Sequence, residues 1–246
     1  MDESFDLLYY KSRVAERLNR PYDIIDFMDQ LIIKKRVLNV NERNLLFTTY
    51  KKIIDSLRCI IQLLRNYLQD EINACKEDDN SSDNESFQDQ LQIYIKKYIE
   101  ELITTSEHVI NTIDNILLKE ANESESCIFY YKTRADYFRY IAEFTSNTEK
   151  EDAIKKSELS YQTALHLAQS NKHLKKSDPL YLGVALNFTV CEYEFMNKKT
   201  EMIDFSEKVF QEAVKTLDQL DENKYNESAK LMQILRDNIT QWTNEL

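Results

Sequence analysis

Glycine occurs once and proline twice among the 246 residues of this chain. Tight hairpins and the loops between strands and helices depend on these two residues, because glycine allows positive φ angles and proline presets a turn. Their scarcity argues strongly against a sheet with tight turns. Since 42% of the residues are hydrophobic, the chain can bury a large core, as one large domain or two small ones. We predict an all-α fold.

Helical periodicity recurs from one end of the chain to the other. It is interrupted near residues 21, 39–41, 73–86, 120–126, 145–148, 171–178, 197–200 and 217–223. These interruptions predict about nine helices with short connections. Pro179 follows Ser177 and Asp178, which is the pattern of a proline at the first helical position behind a capping residue, so we predict a helix start there.

The segment CKEDDNSSDNESF, residues 75–87, combines acidic and small polar side chains. Such a composition offers little apolar area to bury, so we predict a flexible acidic loop. The alternative is a regulatory acidic segment.

The net charge of −11 and the isoelectric point near 4.9 would repel nucleic acid and acidic lipid surfaces over most of the protein. Any anion site must therefore be a local basic island. Four cysteines, Cys59, Cys75, Cys127 and Cys191, lack CxxC spacing and clustered histidines, which indicates reduced thiols rather than disulfides or zinc ligands. We expect no nucleic-acid partner, no metal and no cofactor.

Charged residues interrupt the apolar ones throughout the N-terminal stretch MDESFDLLYYKSRVAERL, which is not typical of a signal peptide. No apolar run approaches the roughly 20 residues that span a bilayer. We therefore expect no membrane insertion and a cytoplasmic location, with the nucleus as the alternative.

The stretch KTRADYFRYIAEF, residues 132–144, carries charges in a mostly apolar segment. At about 100° per residue, Lys132, Asp136, Arg139 and Glu143 fall on one narrow stripe of a helix. Aromatic and aliphatic side chains cover most of the remaining surface, so this helix must be buried on several sides. We predict that the stripe lines a groove.

A second stretch contains Lys51, Asp55 and Arg58 with the same spacing. In both stretches the lysine and the arginine project from one face, and ion pairing with the carboxylate between them can hold both extended. Two such helices side by side would concentrate four cations. Alternatively, Lys51 and Arg58 lie on the ordinary solvated face of an amphipathic helix. Tyr140 either adds a hydroxyl donor to the same anion or belongs to the core.

Two further helices carry asparagines in apolar surroundings. Asn187 and Glu194 share one face of residues 179–197, with Gly183 one turn before Asn187. A glycine inside a helix is costly, so it indicates close approach of another backbone or tight helix packing. Asn238 shares a face with several apolar residues near the C-terminus, and its amide could pair within the core or bind the backbone of an extended peptide.

Motifs for catalysis are absent from the sequence. There is no GxSxG, HExxH, P-loop or dinucleotide-binding glycine pattern, and a single glycine cannot form a phosphate-cradling loop. The three histidines lack the Glu-x-x-His spacing of di-iron bundles. We expect no enzymatic activity.

Four stretches, RNLLFTTYKKI, DYFRYIAE, LGVALNFTVCEYE and LMQILRDNITQWT, resemble the 14-3-3 family, and the resemblance extends over nearly the whole chain. It implies a single domain over residues 1–246, made of nine antiparallel helices that form a concave cup and dimerise through the N-terminal helices. It also implies an adaptor that binds a phosphoserine or phosphothreonine peptide of a client protein in each protomer. The dimer would be a homodimer or a heterodimer with a paralogue.

The resemblance assigns roles residue by residue within the matching stretches. The phosphate-binding residues it implies are Lys51, Arg58, Arg139 and Tyr140. The peptide-binding residues it implies are Lys132, Leu186, Asn187, Val190, Glu194, Ile234, Asn238 and Trp242. The dimer-interface residues are Leu18, Arg20, Asp23, Ile60, Leu64, Tyr94, Lys97 and Glu101, with Arg20 opposite Glu101 and Asp23 opposite Lys97.

Three residues depart from the family pattern. Leu57 stands where an arginine is frequent, Glu192 where an aromatic is usual, and Gln241 where an apolar wall residue is usual. These departures affect the expected peptide preference, whereas the phosphate set is intact. The alternative function is a phosphate-independent helical scaffold that binds amphipathic partner helices.

Overall fold

The computed structural model describes residues 4–75 and 82–245. Within these ranges the chain forms nine helices and no strand, as the sequence predicts. Their bounds are α1 Phe5–Arg17, α2 Pro21–Lys35, α3 Val40–Cys75, α4 Ser82–Thr112, α5 Ser124–Phe144, α6 Asn147–Ser170, α7 Pro179–Phe195, α8 Lys199–Val214 and α9 Glu222–Asn244. A π-helical turn, Ile113–Leu117, and a final turn, Leu118–Glu120, continue α4, and a 3-10 turn, Leu217–Gln219, precedes α9.

Side-chain caps explain several helix starts. Asn39 and Glu42 form a reciprocal capping box before α3, with hydrogen bonds of 2.9 Å and 2.8 Å to each other's backbone N–H. The predicted start of α7 is confirmed, because Asp178 accepts a hydrogen bond of 2.9 Å from the Leu180 N–H and Pro179 is the first helical residue.

Helix ends in this chain do without glycine. Asn19, Arg36 and Asn197 follow α1, α2 and α7 with φ angles of 53°, 62° and 54°. Asparagine enters the left-handed region at a lower cost than most residues, so it can terminate a helix where glycine would be usual. A chain with one glycine can therefore still reverse direction between helices.

The first compact unit, Met1–Glu120, contains α1 to α4. Two contacts connect α2 with α4: the Tyr22 hydroxyl donates to Glu101 Oε1 at 2.6 Å, and His108 Nε2 lies 2.8 Å from Asp29 Oδ2. The partners are seven residues apart on both helices, so α2 and α4 run parallel. Fully buried side chains of the core include Leu8, Met28, Leu31, Leu46, Ile54 and Leu102.

The second compact unit, Ala121–Leu246, contains α5 to α9. Its most buried helix is α7, which is apolar on nearly all sides. Two contacts hold the start of α7: the Ser228 hydroxyl donates to the Ser177 carbonyl at 2.6 Å, and Lys224 pairs with Asp178 at 2.8 Å. These contacts fix the start of the helix that carries Asn187, one of the predicted peptide-binding residues.

The loop predicted at residues 75–87 is wrong for residues 82–87, which belong to α4, and for Cys75, which belongs to α3. Residues 76–81 lie outside the described residues, and a single domain over residues 1–246 stays a prediction. In the described part of the chain, no helix is long and apolar enough to cross a bilayer.

Candidate functional site

The charged stripe of α5 contains the ion pair that its spacing predicts. Lys132 Nζ lies 2.7 Å from Asp136 Oδ2, one helical turn away, and the two side chains are only 22% and 11% exposed. Arg139 shares a side-chain hydrogen bond with Tyr161, and the negative charge of Asp136 raises the pKa of the Arg139 guanidinium. Glu143, at the end of the stripe, is exposed. The stripe is thus largely buried over its first two turns.

Asp136 connects three helices. Its Oδ1 accepts a short hydrogen bond from the Tyr161 hydroxyl on α6 and one of 2.7 Å from Asn187 Nδ2 on α7. Burial by itself would raise the pKa of Asp136, but the charges of Lys132 and Arg139, with the hydrogen bonds, outweigh it and lower that pKa. Asp136 is therefore an anion with a full set of partners.

Arg139 keeps its charge although it is largely buried. Burial opposes the charge, but Tyr161, Asp136 and the neighbouring Tyr140 raise the pKa of the guanidinium. The guanidinium lies 4.9 Å from the centre of the Tyr140 ring, in a cation–π contact. Among the described residues, its buried Nε has no hydrogen-bond partner. Two cations and one carboxylate leave this cluster with one net positive charge.

Gly183 faces a side chain rather than a backbone. A Cβ atom at this position would lie 3.3 Å from Cε of Lys132. The expectation of close backbone approach is therefore wrong, because the space that glycine leaves on α7 is taken by the stem of Lys132. The missing side chain allows Lys132 to lie flat against α7 and reach Asp136.

The second stripe, on α3, belongs to the first compact unit. Lys51 and Asp55 are exposed, and Arg58 is half-buried with its Nε inaccessible to solvent. Leu57 is buried in the core of that unit, where an arginine would have no water. A joint role of Lys51 and Arg58 with Arg139 and Tyr140 stays a prediction.

The remaining peptide-binding candidates lie on α7 and α9. Leu186 is buried, Val190 is half-buried, and Glu194 is exposed on α7. On α9, Ile234 is 48% exposed, Asn238 is half-buried, and Trp242 is buried. The Trp242 ring stacks on Tyr193 of α7 at 4.2 Å between centroids, with 10° between the ring planes.

Sequence reasoning missed Tyr161, which holds both Asp136 and Arg139 from α6. Its only signal in the sequence is that a tyrosine on an apolar helix face needs a partner for its hydroxyl.

Sequence reasoning also missed the partners of Glu192. This fully buried carboxylate pairs with Lys198 at 2.6 Å, and the same lysine contacts Glu158 at 3.2 Å. Burial raises the pKa of Glu192.

The dimer-interface candidates are all in the first unit. Leu18 is 67% exposed, Tyr94 and Lys97 are also exposed, and Ile60 and Leu64 are half-buried. Arg20 contacts Asp23 of the same chain at 3.2 Å, three residues away. Glu101 already accepts the hydrogen bond from Tyr22. The charges expected to pair between protomers therefore have partners within one chain as well.

The all-α fold carries a buried cluster of arginine, lysine and aspartate with one net positive charge, which makes this a helical protein with a candidate anion site. A family model described as "14-3-3 protein" matches residues 11–243. The 14-3-3-like protein GF14 iota of Arabidopsis thaliana is 33% identical over 245 residues, covering 100% of this chain and 88% of the relative. The 14-3-3 protein 8 of Solanum lycopersicum is 35% identical over 239 residues, covering 97% of this chain and 88% of that protein. The chain belongs to the 14-3-3 family.

Proposed function

We propose that this protein is an adaptor that clamps phosphorylated client proteins by binding a phosphoserine or phosphothreonine peptide in an amphipathic groove. Membership of the 14-3-3 family supports a phosphopeptide-binding adaptor role in general, and proteins of this family are adaptors rather than enzymes. The finer assignment, to particular residues and to a phosphorylated side chain, is argued from the cluster around Arg139.

The observation that supports it most is the charge balance of this cluster. Lys132 pairs with Asp136 directly at 2.7 Å, whereas in the described part of the chain Asp136 acts on Arg139 through its charge and not through a direct ion pair. A buried cation with an unpaired donor is costly unless an anion binds it. A phosphate group would supply that anion.

A phosphorylated side chain suits this arrangement better than a carboxylate does. It carries nearly two negative charges at neutral pH and three acceptor oxygens. The planar guanidinium of Arg139 can donate two parallel hydrogen bonds to such a group. Lys51, Arg58 and Tyr140 are proposed as further phosphate ligands on the family resemblance, and Lys132 as a basic neighbour.

Asn187 suits a clamp on the peptide backbone. Its amide nitrogen donates to Asp136, which fixes the orientation of the side chain and leaves the amide oxygen as an acceptor for a peptide N–H. Asn238 on α9 is proposed as the second clamp. Leu186, Val190, Ile234 and Trp242 would form the apolar wall, with Glu194 beside Asn187. The dimer, with itself or with a paralogue, would use the first unit.

Calorimetric titration with matched phosphorylated and unphosphorylated peptides tests this proposal. The wild type should bind only the phosphorylated peptide. Arg139→Ala should weaken binding by about a hundredfold or more, because two charge-assisted hydrogen bonds are lost. Arg139→Lys keeps the charge but not the planar donor pair and should weaken binding less.

Arg134→Ala is the matched control. Arg134 lies on the same helix but donates its hydrogen bond, of 2.5 Å, to Ser160, and its guanidinium lies over the Phe138 ring. Its removal changes the net charge equally and should leave phosphopeptide affinity within about twofold. Equal affinity of the wild type for both peptides would overturn the proposal and favour the phosphate-independent scaffold.

A further inference from the structure

An aromatic stack joins α7 to the end of α9. Trp242 and Tyr193 stack at 4.2 Å and form a buried cluster with Met202 and Ile203 of α8. Trp242 is the only tryptophan in the chain. A stack of two rings can slide, so its geometry depends on what fixes the polar end of the tyrosine.

Glu245 fixes that end. The Tyr193 hydroxyl donates to Glu245 Oε2 at 2.9 Å, and Gln241 Nε2 donates to the other oxygen, Oε1, at 2.8 Å. The ammonium of Lys199 lies 5.3 Å from the centre of the Tyr193 ring. The hydrogen bonds from Gln241 and Tyr193, followed by the charge of Lys199, lower the pKa of Glu245.

The location of Glu245 makes these contacts unusual. It is the C-cap residue of α9, where a negative charge opposes the helix dipole. The repulsion would be weaker if the carboxylate of Glu245 pointed away from the helix end into solvent. Gln241 donates to one oxygen of this carboxylate and thereby holds the other oxygen towards Tyr193.

We propose that Gln241, Glu245 and Tyr193 form a latch that holds Trp242 in place on the wall of the peptide groove. Glu245 is thereby a positioning residue for peptide binding, although it need not touch the peptide. This inference rests on the proposed function, since the wall has a role only if a peptide binds there.

The fluorescence of Trp242 tests the latch without any peptide. Glu245→Ala removes the acceptor of the hydrogen bond from Tyr193, and Tyr193→Phe removes its donor hydroxyl and keeps the ring. Each substitution should therefore change the emission of Trp242. Glu245→Gln should restore most of the wild-type spectrum, since its amide oxygen still accepts the hydrogen bond. Asp237→Ala is the matched control, because Asp237 accepts a hydrogen bond of 2.7 Å from Gln233 with the same four-residue spacing on α9 and contacts no tyrosine among the described residues.

A double-mutant cycle separates the latch from two unrelated effects. The variant carrying both Tyr193→Phe and Glu245→Ala should show the same emission and the same stability as Glu245→Ala alone, with circular dichroism unchanged. Additive effects of the two substitutions, or wild-type emission in Glu245→Ala, would overturn the latch.

The effect on peptide binding is measured with a phosphoserine peptide that has an apolar residue two positions after the phosphoserine. Glu245→Ala should raise its dissociation constant about three- to tenfold, and Asp237→Ala should leave it unchanged. If the wild type discriminates the phosphorylated peptide but Glu245→Ala binds equally well, the positioning role is wrong and the proposed function stands. If the wild type does not discriminate, the proposed function fails and the positioning role with it.

Discussion

Asn187 on α7 donates a hydrogen bond of 2.7 Å to Asp136 on α5. The same carboxylate pairs with Lys132, so one side chain connects a proposed backbone clamp with the proposed phosphate site. Substitutions of Asp136 should therefore affect stability and binding together, whereas substitutions of Arg139 should affect mainly binding.

The first prediction concerns the stability of the second unit. Asp136→Ala should lower the free energy of unfolding by about 3 kcal/mol or more, because it leaves Lys132 and Arg139 buried without a carboxylate. Urea denaturation measures this loss. Asp237→Ala, on the exposed face of α9, should cost less than about 0.5 kcal/mol, and a similar small loss for Asp136→Ala would contradict the buried network.

The second prediction concerns acid stability. Folding lowers the pKa of Asp136, so its contribution is present above the unfolded value of 3.8 and is lost as the pH falls through the folded value. The stability difference between wild type and Asp136→Asn should therefore be largest near neutral pH and shrink below about pH 4. Denaturation curves at pH 2.5, 4 and 7 measure it. A difference independent of pH would show that the charge of Asp136 is not what stabilises the fold.

The third prediction concerns the link between α2 and α4. The hydrogen bond with Asp29 raises the pKa of His108 against the opposing effect of partial burial. The stabilising contribution of this pair is thus full below the unfolded value of 6.5 and is lost as the pH rises through the folded value.

Because the pair is partly exposed, the effect should be about 0.5 kcal/mol. Comparison of wild type with His108→Gln at pH 5.5 and pH 8.5 measures it. His166→Gln is the control, since His166 is exposed on α6 and forms no ion pair in the described ranges. A larger stability difference at pH 8.5 than at pH 5.5 would contradict the assignment.

The fourth prediction concerns the pH dependence of binding. The affinity for a phosphoserine peptide should fall as the pH drops through the second pKa of the phosphate, near 6, because the monoanion attracts the arginines less. Calorimetry at pH 5 and pH 7.5 tests it. The fall should be smaller in Arg139→Ala, which has lost one of those arginines, and an unchanged fall in that variant would argue against a contact between Arg139 and the phosphate.

The fifth prediction concerns the dimer. Exchanging the two charges, Arg20→Asp with Asp23→Arg, keeps the attraction between these positions within one chain. Any change in the dimer constant therefore reports contacts between protomers. Each exposed pair contributes only about 0.2 to 1 kcal/mol, so the dimer should weaken by roughly 1 kcal/mol, while burial of Leu18, Ile60 and Leu64 dominates. Sedimentation measures the constant, and an unchanged value would refute pairing with Glu101 and Lys97.

The helix ends were largely predictable because they are local properties of the sequence. Asp178 before Pro179 stabilises one particular helix start wherever that helix packs. The ion pair of Lys132 with Asp136 follows from a spacing of four residues on one helix. The helical state of residues 82–87 was not predicted, because their polar, acidic composition is typical of a loop.

What the sequence determined by itself is the all-helical class, the positions of most breaks and the charged stripe of α5, since each depends on residues close together in the chain. Only the tertiary structure decided that Tyr161 and Asn187 complete the shell of Asp136, that Gly183 makes room for Lys132, and that Glu245 binds Tyr193. These contacts join residues 25 to 52 positions apart. No local pattern specifies them, because the partner of a buried polar group depends on which helices pack together.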